Sequence, residues 1–372
     1  MTVRPNAVKA LHAAGQSIWL DSINRSMLRT GTLARYIEDL AVSGMTSNPT
    51  ILGQAMSAGT DYDESIIRIT KESIADPQDL VYAVALEDLA EAAGLFRPAW
   101  ELTQGVDGYV SLEVPPGLAY ESNATLAFAR RLHDQAGLEN LLVKIPGTAP
   151  GLTAMEEAVA AGIGINVTLL FSDAQYLQTA DAYLRALERR KAAGLSLDVP
   201  SVASLFVSRW DKAADVLLPR GLHGKLGIAV VQKVYASYRS LLASERWIAL
   251  AEAGARPQRV LWASTSTKDP AFPDTYYLGK LAAPDTIDTV PEATLLAFAD
   301  HGELGDMMEP DYASAEKVIA QIAGEGIDVD ALAESLQRQG AKAFEEDWAA
   351  LLDSLATKAI GLGGQSDSGK TK

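Results

Sequence analysis

The fold is decided by three neighbouring segments: the run Leu141-Leu-Val-Lys-Ile145, a helical segment over Gly151–Ala161 and the run Gly164-Ile-Asn-Val-Thr168. The first run is apolar except for Lys144, and several of the short β-rich runs in this chain are likewise continuous rather than alternating. This pattern is typical of parallel strands that are buried on both faces. Two such strands with a helix between them indicate an α/β protein.

The same alternation of short β-rich runs and long helical stretches extends in both directions along the chain. Eight strands with helices between them predict a closed (β/α)8 (TIM) barrel. The other predicted strands are Ser17–Asp21, Gly44–Ser47, Tyr109–Glu113, Val202–Val207, Val260–Ser264 and Tyr277–Leu281. The other predicted helices are Thr32–Val42, Gln78–Leu95, Ala119–Ala136, Ser172–Ala193 and Lys225–Ala253.

The C-terminal region has helical spacing throughout. Pro310–Ala323 and Val329–Leu355 carry apolar residues at intervals of three and four, with acidic faces. We expect these helices to pack outside the barrel, as a helical extension over about 305–357 of one barrel domain that spans 1–360. Residues 361–372 are Gly- and Ser-rich, which predicts a flexible tail.

Composition and charge exclude several classes of function. The 372 residues include 32 Lys plus Arg and 48 Asp plus Glu, a net charge of −16 that argues against nucleic acid or an anionic membrane as a partner. Cysteine is absent, which excludes disulfides, thiolate metal sites and a cysteine nucleophile. Met1–Asn6 lacks the apolar core of a secretion signal, and charges interrupt every apolar run, so we expect a cytoplasmic protein.

Polar side chains recur at the carboxyl ends of the predicted strands. In a TIM barrel these positions face the substrate, whereas polar residues elsewhere on a strand are costly to bury. Their shared placement makes a site more credible than any one of them alone. The residues concerned are Asp21, Thr46, Ser47, Asn48, Glu113, Lys144, Asn166, Thr168, Ser204, Arg209, Ser264, Ser266 and Lys268.

Lys144 is the most informative residue of this set. It lies in an apolar run with no charged neighbour in sequence. Desolvation favours the neutral amine, which is the form that attacks carbonyl groups, so Lys144 is a candidate for Schiff-base formation. The alternative is a structural lysine that extends its ammonium to the rim or pairs with a carboxylate.

Each remaining candidate also has two readings. Glu113 is either the ion-pair partner of Lys144 or a general acid/base. Asp21 is either a base toward a substrate hydroxyl or a turn cap, and Asn48 either binds a sugar or N-caps the helix that Pro49 opens. Arg209 is either a phosphate ligand or a surface cation paired with Asp211 or Asp215.

Two apparent motifs carry no function. Residues 364–371 match the P-loop pattern, but no strand precedes them and no helix follows that could cradle a phosphate. The histidines have no metal-ligand spacing, which also argues against a Ser-His-Asp triad. They are His12, His133, His223 and His301.

Five segments resemble the transaldolase family, in the family's order and across roughly residues 15 to 300. Gly44-Met-Thr-Ser-Asn-Pro-Thr-Ile-Leu52 is similar to the first family signature, and Leu142-Val-Lys-Ile-Pro-Gly-Thr148 to the segment that holds the Schiff-base lysine. The long helical C-terminus resembles the larger bacterial branch. The other matching segments are Ser111–Val114, Ile165–Ser172 and Ser204–Arg209.

The resemblance implies a transferase of the pentose phosphate pathway. Such an enzyme moves a dihydroxyacetone unit from sedoheptulose 7-phosphate to glyceraldehyde 3-phosphate, and gives erythrose 4-phosphate and fructose 6-phosphate. It implies no metal or organic cofactor, because the protonated imine is itself the electron sink. The expected partners are therefore small sugar phosphates only, and we expect a monomer or a homodimer.

Matching residue by residue, the resemblance also implies individual roles. Lys144 would form the imine, Glu113 would act as acid/base through a water held with Thr168, and Asp21 would act as base at the C4 hydroxyl. The residues that would contact the donor are Asn48, Asn166, Ser204 and Phe206 along its carbon chain, and Arg209 at its phosphate.

The sequence departs from the family pattern at two places. Other branches carry a second phosphate-binding arginine after strand 7, where this chain has Ser264-Thr265-Ser266 and then Lys268. We hypothesise that Ser266 and Lys268 share that role, with a point charge in place of a guanidinium fork. Leu205 and Ser208 also stand where the common form has Pro and Gly.

Two other functions remain open at this level. A fructose-6-phosphate aldolase would cleave its substrate without transfer, but those relatives tend to carry Gln at the position of Glu113 and Tyr at that of Phe206. A non-catalytic sugar-phosphate-binding barrel is the second alternative, since fold does not fix function.

Overall fold

The computed structural model describes residues 6–22, 24–47, 49–57, 59–71 and 76–368. Within that part of the chain, each strand pairs in parallel with the next, and the last closes onto the first, so the predicted (β/α)8 barrel is confirmed. The strands are β1 Ser17–Leu20, β2 Val42–Thr46, β3 Val110–Glu113, β4 Leu141–Pro146, β5 Ile165–Leu170, β6 Ser201–Phe206, β7 Arg259–Ala263 and β8 Ile287–Val290.

Helices surround the barrel and follow most of its strands. The first half contains α1 Ala7–Ala13, α2 Arg25–Arg29, α3 Thr32–Leu40, α4 Pro49–Ser57, α5 Asp63–Lys71, α6 Pro77–Leu102, α7 Ser122–Ala136 and α8 Ala149–Ala160. The second half contains α9 Asp173–Ala192, α10 Ser208–Ala214, α11 Leu226–Leu242, α12 Glu245–Ala251, α13 Tyr276–Lys280, α14 Glu292–His301, α15 Tyr312–Gly324 and α16 Val329–Ser368. None of these helices has the length and apolar character to cross a membrane.

Capping side chains mark where several helices begin. Ser172 accepts a hydrogen bond from the Gln175 backbone N–H, and the Gln175 side chain accepts one from the Ser172 backbone, which forms a capping box at the start of α9. At the start of α8, the Thr148 side chain accepts a hydrogen bond of 3.1 Å from the Gly151 N–H. The helices after β4 and β5 therefore start at fixed points just above the strand ends.

The predicted eighth strand is wrong. Tyr277–Leu281 lies in and just after the short helix α13, and the eighth strand is Ile287–Val290. Tyr277 and the two leucines gave this short run a local β character, but tertiary packing overrides such preferences. The true strand was hidden because its four residues include Asp288 and Thr289, two polar side chains that are both buried.

Several helix boundaries also differ from the prediction, and α6 for example ends at Leu102 rather than Leu95. The single helix expected over Lys225–Ala253 is two helices, because Ser244 caps a new start at α12 by accepting a hydrogen bond from the Trp247 N–H. At the other end of the chain, α16 continues past Leu355 to Ser368. Extending an existing helix adds one backbone hydrogen bond per residue. This gain explains why the Gly- and Ser-rich residues 361–368 continue the helix.

The interior of the barrel is filled below its carboxyl end. The side chains of Trp19, Leu142, Val202, Leu261 and Ile287 belong to one buried apolar cluster that occupies the centre. Because this layer is packed, a ligand can enter the barrel only from above it, at the carboxyl ends of the strands.

The last helix lies across that carboxyl end. The Gln337 side chain of α16 donates hydrogen bonds to the backbone oxygens of Gly147 and Leu169, at distances of 2.9 and 3.0 Å. Further along α16, the Trp348 ring packs against Tyr82 of α6 with 5.5 Å between ring centroids. The helix thus lies outside the strands, as predicted, and also forms one wall of the barrel mouth.

Candidate active site

A cavity of about 260 Å³ opens at the carboxyl ends of the strands. It is large enough for a small phosphorylated sugar and lies where TIM-barrel enzymes bind their substrates. Most of the sequence-predicted site residues border it. The lining residues are Asp21, Thr46, Lys144, Thr168, Ser204, Phe206, Arg209, Leu261, Ala263, Ser264, Ser266, Lys268, Thr289, Pro291 and Phe344.

Lys144 stands on β4 with its amine at the bottom of this cavity. Only 5% of the residue is exposed, and Nζ lies 3.0 Å from Oε2 of Glu113 on the neighbouring strand. Nζ also donates a hydrogen bond of 3.1 Å to the backbone oxygen of Ser47. The amine is therefore not extended to the solvent. It contacts a buried carboxyl group with which it can exchange a proton.

The Glu113 carboxyl group is 4% exposed. Burial raises its pKa above the usual value, the Lys144 ammonium opposes that rise, and the charge of Asp21 adds to it. Apart from the contact with Lys144, its oxygens have no hydrogen-bond partner among the described residues. A carboxyl group with a raised pKa, next to an amine, is placed to exchange a proton with that amine or with a bound substrate.

Asp21 directly follows β1 and borders the same cavity as Lys144. The Thr46 hydroxyl donates a hydrogen bond of 3.1 Å to Asp21 Oδ1 and lies 2.8 Å from the hydroxyl of Thr289. Asp21 is half-buried and borders the cavity directly. The Thr46 side chain thus links the Asp21 carboxylate to Thr289 of β8, and a substrate hydroxyl in the cavity can reach the carboxylate.

Two residues of β5 differ in their relation to the cavity. Thr168 is fully buried and borders the cavity, and its hydroxyl oxygen has no hydrogen-bond partner in the part of the chain that the structure describes. Asn166 lies one layer deeper. It donates to Ser111 at 3.2 Å and accepts from Ser204 at 2.7 Å. Asn166 thus orients Ser204, which borders the cavity.

Arg209 reaches the cavity from the first turn of α10. Its guanidinium lies 5.1 Å from the centre of the Phe206 ring and 5.8 Å from that of Phe344. Burial lowers the pKa of Arg209, and Asp347 opposes that effect. The alternative reading, an ion pair with Asp211 or Asp215, does not hold. Those carboxylates instead accept hydrogen bonds from Gly227, Tyr277 and Gly224.

The segment after β7 forms the rim beside Arg209. Ser264 has a φ of 57°, a left-handed conformation, and its hydroxyl lies 2.9 Å from that of Ser208. Thr265 donates a hydrogen bond of 2.8 Å to the buried carboxyl of Asp288. This anchoring leaves Ser266 half-buried and Lys268 exposed at the edge of the cavity.

Sequence reasoning missed the contribution of the C-terminal helix. Phe344 of α16 borders the cavity, and its ring centre lies 5.8 Å from Lys144 Nζ. No local pattern reveals this contact, but Gly340 gave a signal, since an isolated glycine inside a helix usually has a packing reason. Asn48, a predicted sugar ligand, lies outside the described residues.

One group of metal-ligand type lies elsewhere. Ligand atoms of Asp215, His223 and Asp269 come within 4.8 Å of one another. His223 Nε2 is already 2.9 Å from the Leu218 carbonyl oxygen, and Asp215 accepts from the Gly224 N–H. These contacts explain the cluster as loop structure.

The fold and the site together define a class, that of (β/α)8 barrels with a buried lysine–glutamate pair at the mouth. Within it, the chain belongs to the transaldolase/fructose-6-phosphate aldolase family, whose model matches residues 18–355. It is 44% identical to a transaldolase of Frankia alni, over 94% of this chain and 97% of that protein. It is also 43% identical to a transaldolase of Saccharopolyspora erythraea, over 95% and 98%. A transaldolase of Thermobifida fusca is 42% identical, over 94% and 97%.

Proposed function

We propose that this protein is a transaldolase that transfers a dihydroxyacetone unit from sedoheptulose 7-phosphate to glyceraldehyde 3-phosphate. The products are erythrose 4-phosphate and fructose 6-phosphate. The observation that carries the proposal is the Lys144 amine, buried at the bottom of a cavity of sugar-phosphate size and 3.0 Å from Glu113. The transaldolases named above support it, and the cytoplasm is the compartment where we expect the reaction.

The first step is imine formation at Lys144. The neutral amine attacks the C2 ketone of the donor, and the resulting carbinolamine loses its hydroxyl as water. Glu113 supplies the proton for that departure, directly or through a water held by the Thr168 hydroxyl. The raised pKa of Glu113 suits this role, because burial makes the carboxyl group hold its proton more tightly than an exposed one and so favours the acid form that donates it.

The second step is cleavage of the C3–C4 bond. Asp21 takes the proton of the C4 hydroxyl, the C4 aldehyde leaves, and the bonding electrons move into the protonated imine to give an enamine. The enamine then attacks the acceptor aldehyde, Asp21 returns the proton, and water releases the product from Lys144. The Phe206 and Phe344 rings border the cavity and exclude water while the enamine waits.

Substrate binding divides between the two sides of the cavity. Ser204, oriented by Asn166, and Asn48 hold donor hydroxyls. Arg209 binds the phosphate as a fork, assisted by the Ser266 hydroxyl and the Lys268 ammonium. Lys144 and Arg209 border the same cavity, so one substrate can meet Lys144 with its ketone and Arg209 with its phosphate.

Borohydride trapping tests the mechanism directly. Reduction in the presence of fructose 6-phosphate should inactivate the protein and leave one sugar adduct on Lys144, found by peptide mass spectrometry. Label on another residue, or no label, would contradict the proposal, and the latter is what a non-catalytic binding barrel would give. An aldolase would instead release dihydroxyacetone from fructose 6-phosphate at full rate without an acceptor.

Lys268→Ala tests the hypothesis that a lysine replaces the second arginine. The variant should raise the KM for phosphorylated donors, with kcat little changed, because the lost charge contacts only the phosphate. Lys280→Ala removes an equally exposed lysine and serves as the control. An unchanged KM in Lys268→Ala would end the hypothesis.

A further inference from the structure

The Arg209 guanidinium is held on two sides by aromatic rings from different parts of the chain. Phe206 belongs to β6 and Phe344 to α16, and the guanidinium carbon lies 5.1 and 5.8 Å from their ring centres. Such contacts favour a cation at a fixed place over a ring face. The charge of Asp347 also acts on Arg209, and the two rings hold the guanidinium at the cavity.

Gly340 of α16 faces the same guanidinium. A Cβ atom at this position would lie 3.1 Å from Arg209 Nη1 and 2.9 Å from Leu169 Cδ2. Both distances are shorter than ordinary contacts, so α16 can approach Arg209 this closely only because residue 340 has no side chain. A glycine inside a helix is less stable than an alanine there, which makes a packing role for Gly340 the natural explanation.

The height of α16 above the strands is also fixed. Gln337, one turn before Gly340, binds the carbonyl oxygens of Gly147 and Leu169. Leu169 has a φ of 59°, an unusual left-handed conformation for a branched residue, at an irregularity in the pairing of β5 with β6. Its side chain belongs to the buried apolar cluster that fills the barrel centre and continues to Phe206 and Phe344, and it meets Gly340. The helix therefore cannot move away from Arg209 without losing these contacts.

We propose that Gly340 and Phe344 are positioning residues for Arg209, so that the C-terminal helix sets the affinity of the active site for the substrate phosphate. This inference rests on the proposed function, in which Arg209 binds that phosphate. Because Gly340 has no side chain, the guanidinium has room beside α16. The Phe344 ring contacts the guanidinium and keeps it in the cavity. Discrimination between phosphorylated and unphosphorylated sugars then depends on a segment of the chain that carries no reacting group.

The test compares Gly340→Ala with Gly361→Ala. Gly361 lies in the same helix, and a Cβ atom there would meet nothing within 4 Å, so the two substitutions differ only in what the new methyl group contacts. The measurements are KM and kcat with fructose 6-phosphate and erythrose 4-phosphate, and the inhibition constant of inorganic phosphate.

Gly340→Ala should raise both KM for fructose 6-phosphate and the inhibition constant of phosphate about tenfold, the scale of a weakened charge-assisted hydrogen bond, and change kcat less than about twofold. Gly361→Ala should change neither. The atoms that the new methyl group meets belong to the ends of flexible side chains, so the fold should tolerate the change while Arg209 shifts.

Phe344→Leu provides a second route in case Gly340→Ala does not fold. Loss of the ring should raise the same two constants about threefold, the scale of one cation–π contact. Wild-type constants in both variants, or a fall in kcat with unchanged KM, would overturn the inference. Arg209→Ala separates this failure from that of the proposed function, because wild-type constants in Arg209→Ala would instead remove Arg209 from the phosphate site.

Discussion

The two ends of the barrel both bury charged residues, but they treat them differently. At the floor, Asp107 accepts hydrogen bonds from the hydroxyl groups of Ser17 and Ser43 and from the Trp19 indole. Arg259 lies beside it, 3.9 Å from the carboxylate, and donates to Ser17. The floor charges are thus surrounded by partners that belong to the protein itself.

At the mouth, the buried charges have fewer partners. Glu113 contacts Lys144, and the Thr168 hydroxyl beside them has no partner in the described part of the chain. Leaving a buried polar group unpaired costs about 1–3 kcal/mol, so proteins seldom keep such groups without a use. The comparison teaches that the floor network stabilises the fold, whereas the mouth cluster keeps hydrogen-bonding capacity for a substrate.

Lys144→Ala should produce the largest effect, and it should fall on activity alone. Turnover should drop by at least about 10⁴-fold, because Lys268, the other lysine that borders the cavity, is exposed at its edge and cannot replace the buried amine. The melting temperature should change little, since Glu113, whose pKa is already raised by burial, can take up a proton when the ammonium is lost. Detectable transfer by a pure sample of the variant would contradict the proposed mechanism.

Asp107→Ala is the converse experiment at the floor. The substitution leaves the Ser17, Ser43 and Trp19 donors without their acceptor and removes the carboxylate beside Arg259. Breaking a buried pair in this way costs about 3–5 kcal/mol of unfolding free energy. Urea unfolding measures this loss, and kcat per folded molecule should stay within about twofold of wild type. Asp353→Ala, at an exposed position of α16, is the matched control. A loss of kcat larger than the loss of folded protein would mean that the floor takes part in catalysis.

The mouth was largely predictable from sequence, for a physical reason. Parallel strands bring their carboxyl ends together, so polar residues such as Asp21, Lys144 and Thr168, scattered over the sequence, must meet at one end of a barrel. Even with the eighth strand misplaced, the first seven supplied nearly all of the lining residues. The repeating architecture made the site robust to that local error.

What could not be predicted depends on contacts between distant segments. Phe344 and Gly340 reach the site because α16 crosses the mouth, and no local pattern encodes where a helix docks. Asp288 was missed for a related reason, since a carboxyl group inside a strand is acceptable only with a partner such as Thr265, which tertiary packing supplies. The floor network of Asp107 was likewise invisible in the sequence.

Asp211 sharpens the comparison, because it lies at the mouth end of the barrel but, like Asp107 at the floor, is buried among hydrogen-bond donors of the protein. It lies on α10, is 3% exposed and accepts hydrogen bonds from Gly227 and Tyr277. Burial raises its pKa to about 6. The folded state therefore binds this proton more tightly than the unfolded state, and the resulting stability is complete below the unfolded pKa and is lost as the pH rises from about 4 through about 6.

The expected size of this contribution is about 3 kcal/mol. Asp211→Asn removes the titration, so the unfolding free energy of wild type minus that of the variant should decrease as the pH rises from 4 to 7. Urea unfolding at several pH values measures it. A difference that is flat with pH, or that increases, would show that burial does not penalise the charged form of Asp211.

Thr168→Val should have the smallest effect and tests the comparison at a single hydroxyl. Activity should fall about tenfold, the scale of one hydrogen bond to a reacting group or its water, while the unfolding free energy stays within about 0.5 kcal/mol. The matched control is Thr125→Val. Thr125 is equally buried, but its hydroxyl donates a hydrogen bond of 2.7 Å to the Leu118 carbonyl oxygen. Thr125→Val should therefore lose about 1 kcal/mol of stability and no activity. If the two variants lost stability equally, the Thr168 hydroxyl would be a structural group like those of the floor, and the mouth would hold no unused hydrogen-bonding capacity at that position.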